Sequence, residues 1–321
     1  MAKLRCCIIG CTSDWYVKIH HPSLQRLHER VQLAAAASRD PAKRDWITRT
    51  MGFDKAYGDI DEMLDKEKPD YAVICVGPTQ AADMACNVLS RRIPLLMEKP
   101  VGSNPEEGRR VEKAANEAGV PNMVAFNRRH NPLLVRAKSL ANERGGISHI
   151  VGEWRRYDVK SPRSMMGSGL HMVDTLRFLG GDVVRSNGDA SRTRYFDNAM
   201  VASSFHLGFA SGAIGTFSHN VRAGRAYEQY RIHAENWSTT VSLPPPGRYD
   251  TRWWMQIEEE DKIKEEKNMD YLSRAQRNAL YTQGFWQEHE HFLVCLENGE
   301  APRRSVAEAV RSMELAEDLL A

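Results

Sequence analysis

Lys99 stands where an apolar run, Ile93-Pro94-Leu95-Leu96, gives way to Met97-Glu98-Lys99-Pro100. The run reads as a short buried parallel strand, and open parallel sheets bind ligands outside the carboxyl ends of their strands. In water an amine of pKa about 10.4 is only a surface charge; desolvation or a neighbouring cation brings it into the range of general acid/base work. A second feature follows the first apolar run, where Gly10-Cys11-Thr12-Ser13-Asp14-Trp15 leads into a helical pattern. Backbone N–H groups and the helix dipole make such a turn a cradle for a pyrophosphate. The G-x-G-x-x-G form of that cradle keeps only Gly10 here, with Thr12 and Trp15 at the other glycine positions. Thr12 and Ser13 can donate hydroxyl hydrogen bonds instead, whereas an inward Asp14 would repel phosphate. A third feature is the end of the second strand, Ser38-Arg39-Asp40-Pro41, with Lys43 and Arg44 just beyond. An acid at that turn takes the ribose hydroxyl of NAD, and a basic residue accommodates the extra phosphate of NADP. Ser38, Arg39 and Lys43 therefore point to NADP, with NAD as the alternative, and Asp40 before Pro41 reads as a helix cap.

Other groups carry weaker chemistry. Glu288-His289-Glu290-His291 lacks the i, i+4 histidine spacing of a helical zinc site and reads as a polar helix face, so no metal is expected. Cys6, Cys7, Cys11, Cys75, Cys86 and Cys295 form no C-x-x-C pair and read as reduced thiols, Cys11 alone lying in a loop that touches a ligand. Arg128, Arg155, Arg156, Lys160 and Arg163 are cations that either gather on an anionic substrate, such as a sugar acid or phosphate, or stay solvated. Of Trp253 and Trp254, at alternating strand positions, at least one reads as core. The mixed-charge run 258–267 reads as a solvated strand end and loop, and Pro244-Pro245-Pro246-Gly247 as a stiff loop.

The elements that position these residues alternate at first. Strands at 3–10, 31–38, 71–76, 93–97 and 122–126 interleave with helices at 16–30, 41–51, 59–66, 80–91 and 105–118. That rhythm implies an α/β, doubly wound parallel sheet over residues 1–126. From 127 to 321 helices at 132–143 and 168–179 and period-two segments at 147–157, 183–195, 200–207, 213–220, 229–234, 238–243 and 252–258, with a hairpin turn at 208–212, imply an α+β domain on a mostly antiparallel sheet. Helices at 283–297 and 306–320 close it. With 321 residues, 44 basic against 42 acidic side chains and a net charge of +2, the chain has the size of two domains and no basic footprint for nucleic acid or membrane. No apolar stretch reaches the roughly 18 residues of a spanning helix, and Met1-Ala2-Lys3-Leu4-Arg5 leads straight into a strand, so the cytoplasm is the expected location.

These pieces together resemble the glucose–fructose oxidoreductase / inositol dehydrogenase / rhizopine-catabolism (Gfo/Idh/MocA) family over nearly the whole chain. The matching residues are Val76-Gly77-Pro78-Thr79, Glu98-Lys99-Pro100-Val101, Phe126-Asn127-Arg128-Arg129 and Gly169-Leu170-His171-Met172-Val173-Asp174. The resemblance implies a Rossmann domain, a second domain with a large open sheet that forms dimers or tetramers, and hydride transfer between a nicotinamide and a sugar, cyclitol or polyol. It also implies dinucleotide contacts from the Gly10–Trp15 loop, Gly77, Pro78, Gln80, Glu98, Lys99 and Asn127. By the same likeness Lys99 contacts the reacting oxygen and His171 exchanges its proton, an imidazole of pKa about 6.5 suiting that step near neutrality. Asp174, three residues on, is placed to orient the imidazole, and Arg128 and Arg156 to hold substrate. The chain departs from the pattern at Gly167, where many relatives carry an aspartate, and at Ala82, where they often carry histidine. Those departures leave room for two other readings: a catalytically reduced dinucleotide-binding sensor or regulator, and a redox-neutral glycosidase or epimerase with a tightly held cofactor.

Overall fold

The computed structural model describes residues 2–157, 167, 169–193, 199–244, 253–303 and 305–319. Lys160, Arg163, Ser168, Tyr195, Pro245-Pro246-Gly247, Arg252 and Leu320, which figure in the readings above, lie outside the described residues. The chain divides into two compact units, Met1–Phe126 with Phe285–Met313, and Asn127–Gly284 with Glu314–Ala321.

The first unit alternates β1 (Leu4–Ile9), a π-helical turn (Tyr16–His20) running into α1 (His21–Arg26), β2 (Val31–Ala37), α2 (Pro41–Arg49), β3 (Lys55–Tyr57), α3 (Ile60–Glu67), β4 (Tyr71–Ile74), α4 (Pro78–Ser90), β5 (Leu95–Glu98), α5 (Pro105–Ala118) and β6 (Asn122–Ala125). Its six parallel strands run in the order β3-β2-β1-β4-β5-β6, the doubly wound arrangement with its switch point between β1 and β4. The inner strands are buried on both faces, as Tyr71 to Ile74 and Leu95 to Met97 show. Two details differ from expectation. β3 has only three residues, too few to carry a hydrophobic period. The helix expected at 16–30 is instead a π-helical turn followed by six α-helical residues, because Pro22 at the start of α1 has no N–H to continue the ladder.

The second unit opens with a 3-10 turn (Asn127–His130) and α6 (Pro132–Asn142), β7 (His149–Arg155), α7 (Leu170–Gly180), β8 (Val183–Thr193), β9 (Ala199–Phe209), β10 (Ile214–Asn220), β11 (Tyr227–Ala234), β12 (Trp237–Leu243), β13 (Trp254–Glu259) and β14 (Lys262–Lys267), ending in α8 (Ala279–Thr282). The eight strands run β14-β13-β12-β11-β7-β10-β9-β8, and every neighbouring pair is antiparallel except β7 with β10. Burial alternates along β7 and β11, so Ile150, Trp154, Tyr230 and Ile232 face the core beneath α6 and α7. The charge run at 258–267 is a hairpin and not a loop: Glu260 and Asp261 take φ of 51° and 58°, the left-handed pair of a type I′ turn.

The last helices, α9 (Phe285–Asn298) and α10 (Val306–Asp318), correct the expected division at 126. Phe292 and Leu293 belong to the same apolar cluster as Ile8, Tyr71 and Val73, and Arg30 grips Glu297 with two hydrogen bonds of 3.0 and 2.6 Å. The backbone N–H of Val306 donates to Asn122 Oδ1 at 2.8 Å. The first unit is thus closed by a segment that follows the second in sequence.

Candidate functional site

A groove of about 620 Å³ opens at the carboxyl ends of β1, β2 and β4 in the first unit. It brings together Gly10 and Thr12 after β1, Ser38, Arg39 and Lys43 after β2, and Val76 and Gln80 around the start of α4. Gly10 has φ +88°, and a Cβ there would lie 2.2 Å from the Cys75 carbonyl oxygen, so no other residue fits this turn. Gly77 caps α4 with open space around it, and Pro78 supplies the first turn. Asp40 turns its carboxylate onto the Ala42 N–H at 3.0 Å as the cap of α2, while Arg39 and Lys43 are exposed. Arg44 donates to the carbonyl oxygens of Ser38 and Arg39 at 2.9 and 3.2 Å and so braces that turn. Close backbone approach at Gly10, with hydroxyl and cationic donors at the far end, fits the phosphates of a dinucleotide.

The rest of the first loop turns elsewhere. Cys11 is fully buried and burial pushes its thiol up to about 12, so it does not meet a ligand as a thiolate. Ser13 Oγ accepts from the Tyr16 N–H at 3.2 Å. Asp14 points into solvent with Lys18 at 2.8 Å, which disposes of the expected repulsion. Trp15 reaches back to donate its indole N–H to Glu98 Oε1 at 2.6 Å.

Glu98 ends β5 and Lys99 follows it, at the sheet end where the strand rule places them. Glu98 was expected on the cofactor, but its carboxylate is engaged by protein: Oε1 also lies 2.8 Å from His20 Nε2, and Oε2 accepts from the Lys99 N–H at 3.0 Å. Burial alone would raise its pKa, yet the hydrogen bond and charge of His20, with Lys99 and Trp15, hold it below the usual carboxylate range. His20 and its neighbour His289 were missed by sequence reasoning. Glu288 and His289, read as part of a polar helix face, are each 1% exposed and turn toward His20. Only the buried side of α9 could have signalled this, and a polar pair gives no apolar period to find it by.

In the second unit His171 occupies the first turn of α7, half-buried, with its carbonyl accepting from Thr175 Oγ1 at 2.7 Å. Three of the expected site residues have protein partners here. Asp174 is fully buried and its two carboxylate oxygens accept from Arg129 at 2.8 and 3.2 Å, so it anchors that guanidinium. Arg128, 3% exposed, grips Glu228 with bonds of 3.2 and 2.8 Å, and Tyr230 donates to the same carboxylate at 2.9 Å. A guanidinium so placed forms a buried ion pair, costly to break because either partner alone would be a buried unpaired charge. Asn127 uses both ends of its amide within the protein, donating to the Gln283 carbonyl at 2.7 Å and accepting from Arg128 at 3.0 Å. Arg156 lies 5.9 Å over the Trp154 ring.

Comparison with known proteins shows the family. Residues 4–126 match the oxidoreductase family with an NAD-binding Rossmann fold, and residues 132–239 match the GFO/IDH/MocA C-terminal domain. The chain belongs to the Gfo/Idh/MocA family of oxidoreductases. It is 31% identical to D-xylose 1-dehydrogenase (NADP(+)) 2 of Haloferax volcanii over 38% of each chain, and thus spans well under half of that relative's length. It is 23% identical to myo-inositol 2-dehydrogenase of Thermotoga maritima over 70% of this chain and 74% of that one. A dehydrogenase (MviM) from Clostridium difficile shares its fold with a TM-score of 0.83, covering 99% of both chains at 22% identity.

Proposed function

We propose that this chain is an NADP-preferring dehydrogenase or reductase acting on a hydroxyl or carbonyl carbon of a sugar, cyclitol or sugar acid. The observation that carries the cofactor preference is the groove end formed by Ser38, Arg39 and Lys43, where the carboxylates that also line the groove are engaged by protein: Asp40 caps α2, Asp59 caps α3 and Asp61 pairs with Arg91. The D-xylose and myo-inositol dehydrogenases among its relatives support the substrate class. A nicotinamide bound in the groove supplies the hydride acceptor or donor. In this reading the Lys99 ammonium stabilises developing alkoxide charge on the substrate oxygen and His171 takes its proton. Arg156 is a further cation of the expected substrate set.

The test is calorimetry followed by turnover. NADP should bind more tightly than NAD, and Arg39→Ala should weaken NADP about ten- to a hundredfold, the loss of one charge-assisted hydrogen bond to a phosphate, with NAD nearly unchanged. Equal affinities in the unmutated protein would discard the preference. Lys99→Met and His171→Ala should each cut turnover of the best polyol by at least ~100-fold while the dinucleotide still binds; full activity in either would remove that residue from the chemistry.

A sensor or regulator is the second reading, favoured by one observation: Gly167 offers no carboxylate and Asp174 is committed to Arg129. Saturable turnover of any polyol excludes a pure sensor. A small ligand that raises the melting temperature of the dinucleotide complex without hydride transfer, internal transfer included, would establish it.

A further inference from the structure

His20 sits at the end of the π-helical turn, 1% exposed, with a partner on each ring nitrogen. Nε2 lies 2.8 Å from Glu98 Oε1, and Nδ1 lies 2.9 Å from Nε2 of His289 on α9. The chain of contacts continues outward, because Glu98 Oε1 also takes the Trp15 indole N–H and Oε2 takes the Lys99 N–H. An imidazole between a carboxylate and a second ring nitrogen is either neutral, donating only to the carboxylate, or charged, donating to both. The charged form places opposite charges together in a nearly dry site, where their attraction is strong. Burial opposes that charge, but hydrogen bonding to Cys75 and Glu98 and the charge of the Glu98 carboxylate outweigh it and push His20 well above its ordinary value. The groups facing His20 are Glu98 from β5, Cys75 after β4, Tyr16 from its own turn, and His289 and Glu288 from α9, with Lys99 acting on Glu98.

We propose that His20, backed by His289, is a positioning residue for the reaction: its imidazolium and the Trp15 indole clamp one oxygen of Glu98 while the other oxygen holds the Lys99 peptide. The lysine is thereby fixed beyond the end of β5. This rests on the role proposed above for Lys99. The device draws on two departures of this chain, the π-helical turn that carries His20 inward and the tryptophan at a position where the dinucleotide fingerprint has glycine. His289, accepting at Nε2, keeps its own proton on Nδ1 and so fixes the direction of the His20 hydrogen bond.

The charge state is read without any substrate, from long-range 1H–15N spectra of the full chain labelled with 15N-histidine. His20, identified by the signals that His20→Gln removes, should show two protonated ring nitrogens through neutral pH, and one in Glu98→Gln. A neutral His20 in the unmutated protein overturns the proposal, as does a stoichiometric transition metal in the purified protein, since a metal would take the place of the proton shared by the two rings. In kinetics, His20→Gln should lower kcat about tenfold or more and move its pH profile, with cofactor affinity and substrate KM within about twofold. His289→Gln should shift both in the same sense and serves alone if His20→Gln does not fold. An unchanged kcat and pH profile in the folded variant overturns the proposal. Full activity in Lys99→Met would instead sink the role of the lysine and leave the spectra to decide the charge on His20.

Discussion

His219 shows what burial does to a single titratable side chain. It is 3% exposed on the core face of β10, stacked on Trp154 with ring centroids 4.8 Å apart, and its Nδ1 has no hydrogen-bond partner among the described residues. Burial, aided by the charge of Arg155, pushes its pKa down to about 4. The unfolded chain therefore binds a proton there, near pH 6.5, before the folded one does. The stability so contributed is fully present above about pH 6.5 and is lost as pH falls toward 4, a loss on the order of 3 kcal/mol. Urea titrations across that range should show the decline, and His219→Phe, which keeps a ring on Trp154, should flatten it. An equal decline in the variant would place the titrating group elsewhere. The same scale separates legible from illegible site residues. The place of Lys99 is legible because a lysine ending an apolar strand has a position that topology dictates. The partners of Arg128, Asn127 and Asp174 are not legible, because a charged or amide side chain carries no mark of the group that will claim it, and those partners, Glu228, Gln283 and Arg129, lie 100, 156 and 45 residues away.

Elements were legible where their ends carry chemistry. α5 occupies the expected span because Asn104 caps the Glu107 N–H at 2.9 Å, Pro105 starts the first turn, and Gly119 ends it with φ +63°. β14 was missed for the opposite reason: its turn uses Glu260 and Asp261 where a type I′ turn favours Asn-Gly, and its charged residues, apt for an exposed sheet edge, show no apolar alternation. Each non-glycine residue in the left-handed region costs roughly 1–2 kcal/mol, partly offset by the greater entropy that glycine loses on folding. The double change Glu260→Asn with Asp261→Gly should thus stabilise the hairpin by about 1 kcal/mol, and the lost Glu260–Lys264 contact at 3.3 Å is an exposed pair of little consequence. Amide exchange in β13 and β14 should slow by about fivefold. Faster exchange would show that the native turn is not the strained one.

At the scale of the molecule, chain order and packing order differ. The change of rhythm after residue 126 was legible as a boundary, but periodicity says only that a helix has an apolar face and not which sheet it covers. α9 therefore read as the end of the second domain, whereas Phe292 and Leu293 complete the core of the first. The Rossmann sheet that carries the groove, Glu98 and Lys99 is consequently stabilised by residues that follow the whole antiparallel sheet in sequence. Phe292 is 1% exposed and packs edge-on against Tyr71 of β4 with ring centroids 5.8 Å apart. Phe292→Ala should cost about 3–5 kcal/mol through lost burial and the cavity left behind. If the assignment of α9 is right, hydrogen exchange in that variant loses protection first in β1 and β4, and dinucleotide, which binds the folded first unit, restores it in proportion to its concentration. Undiminished protection in those two strands would return α9 to the second unit.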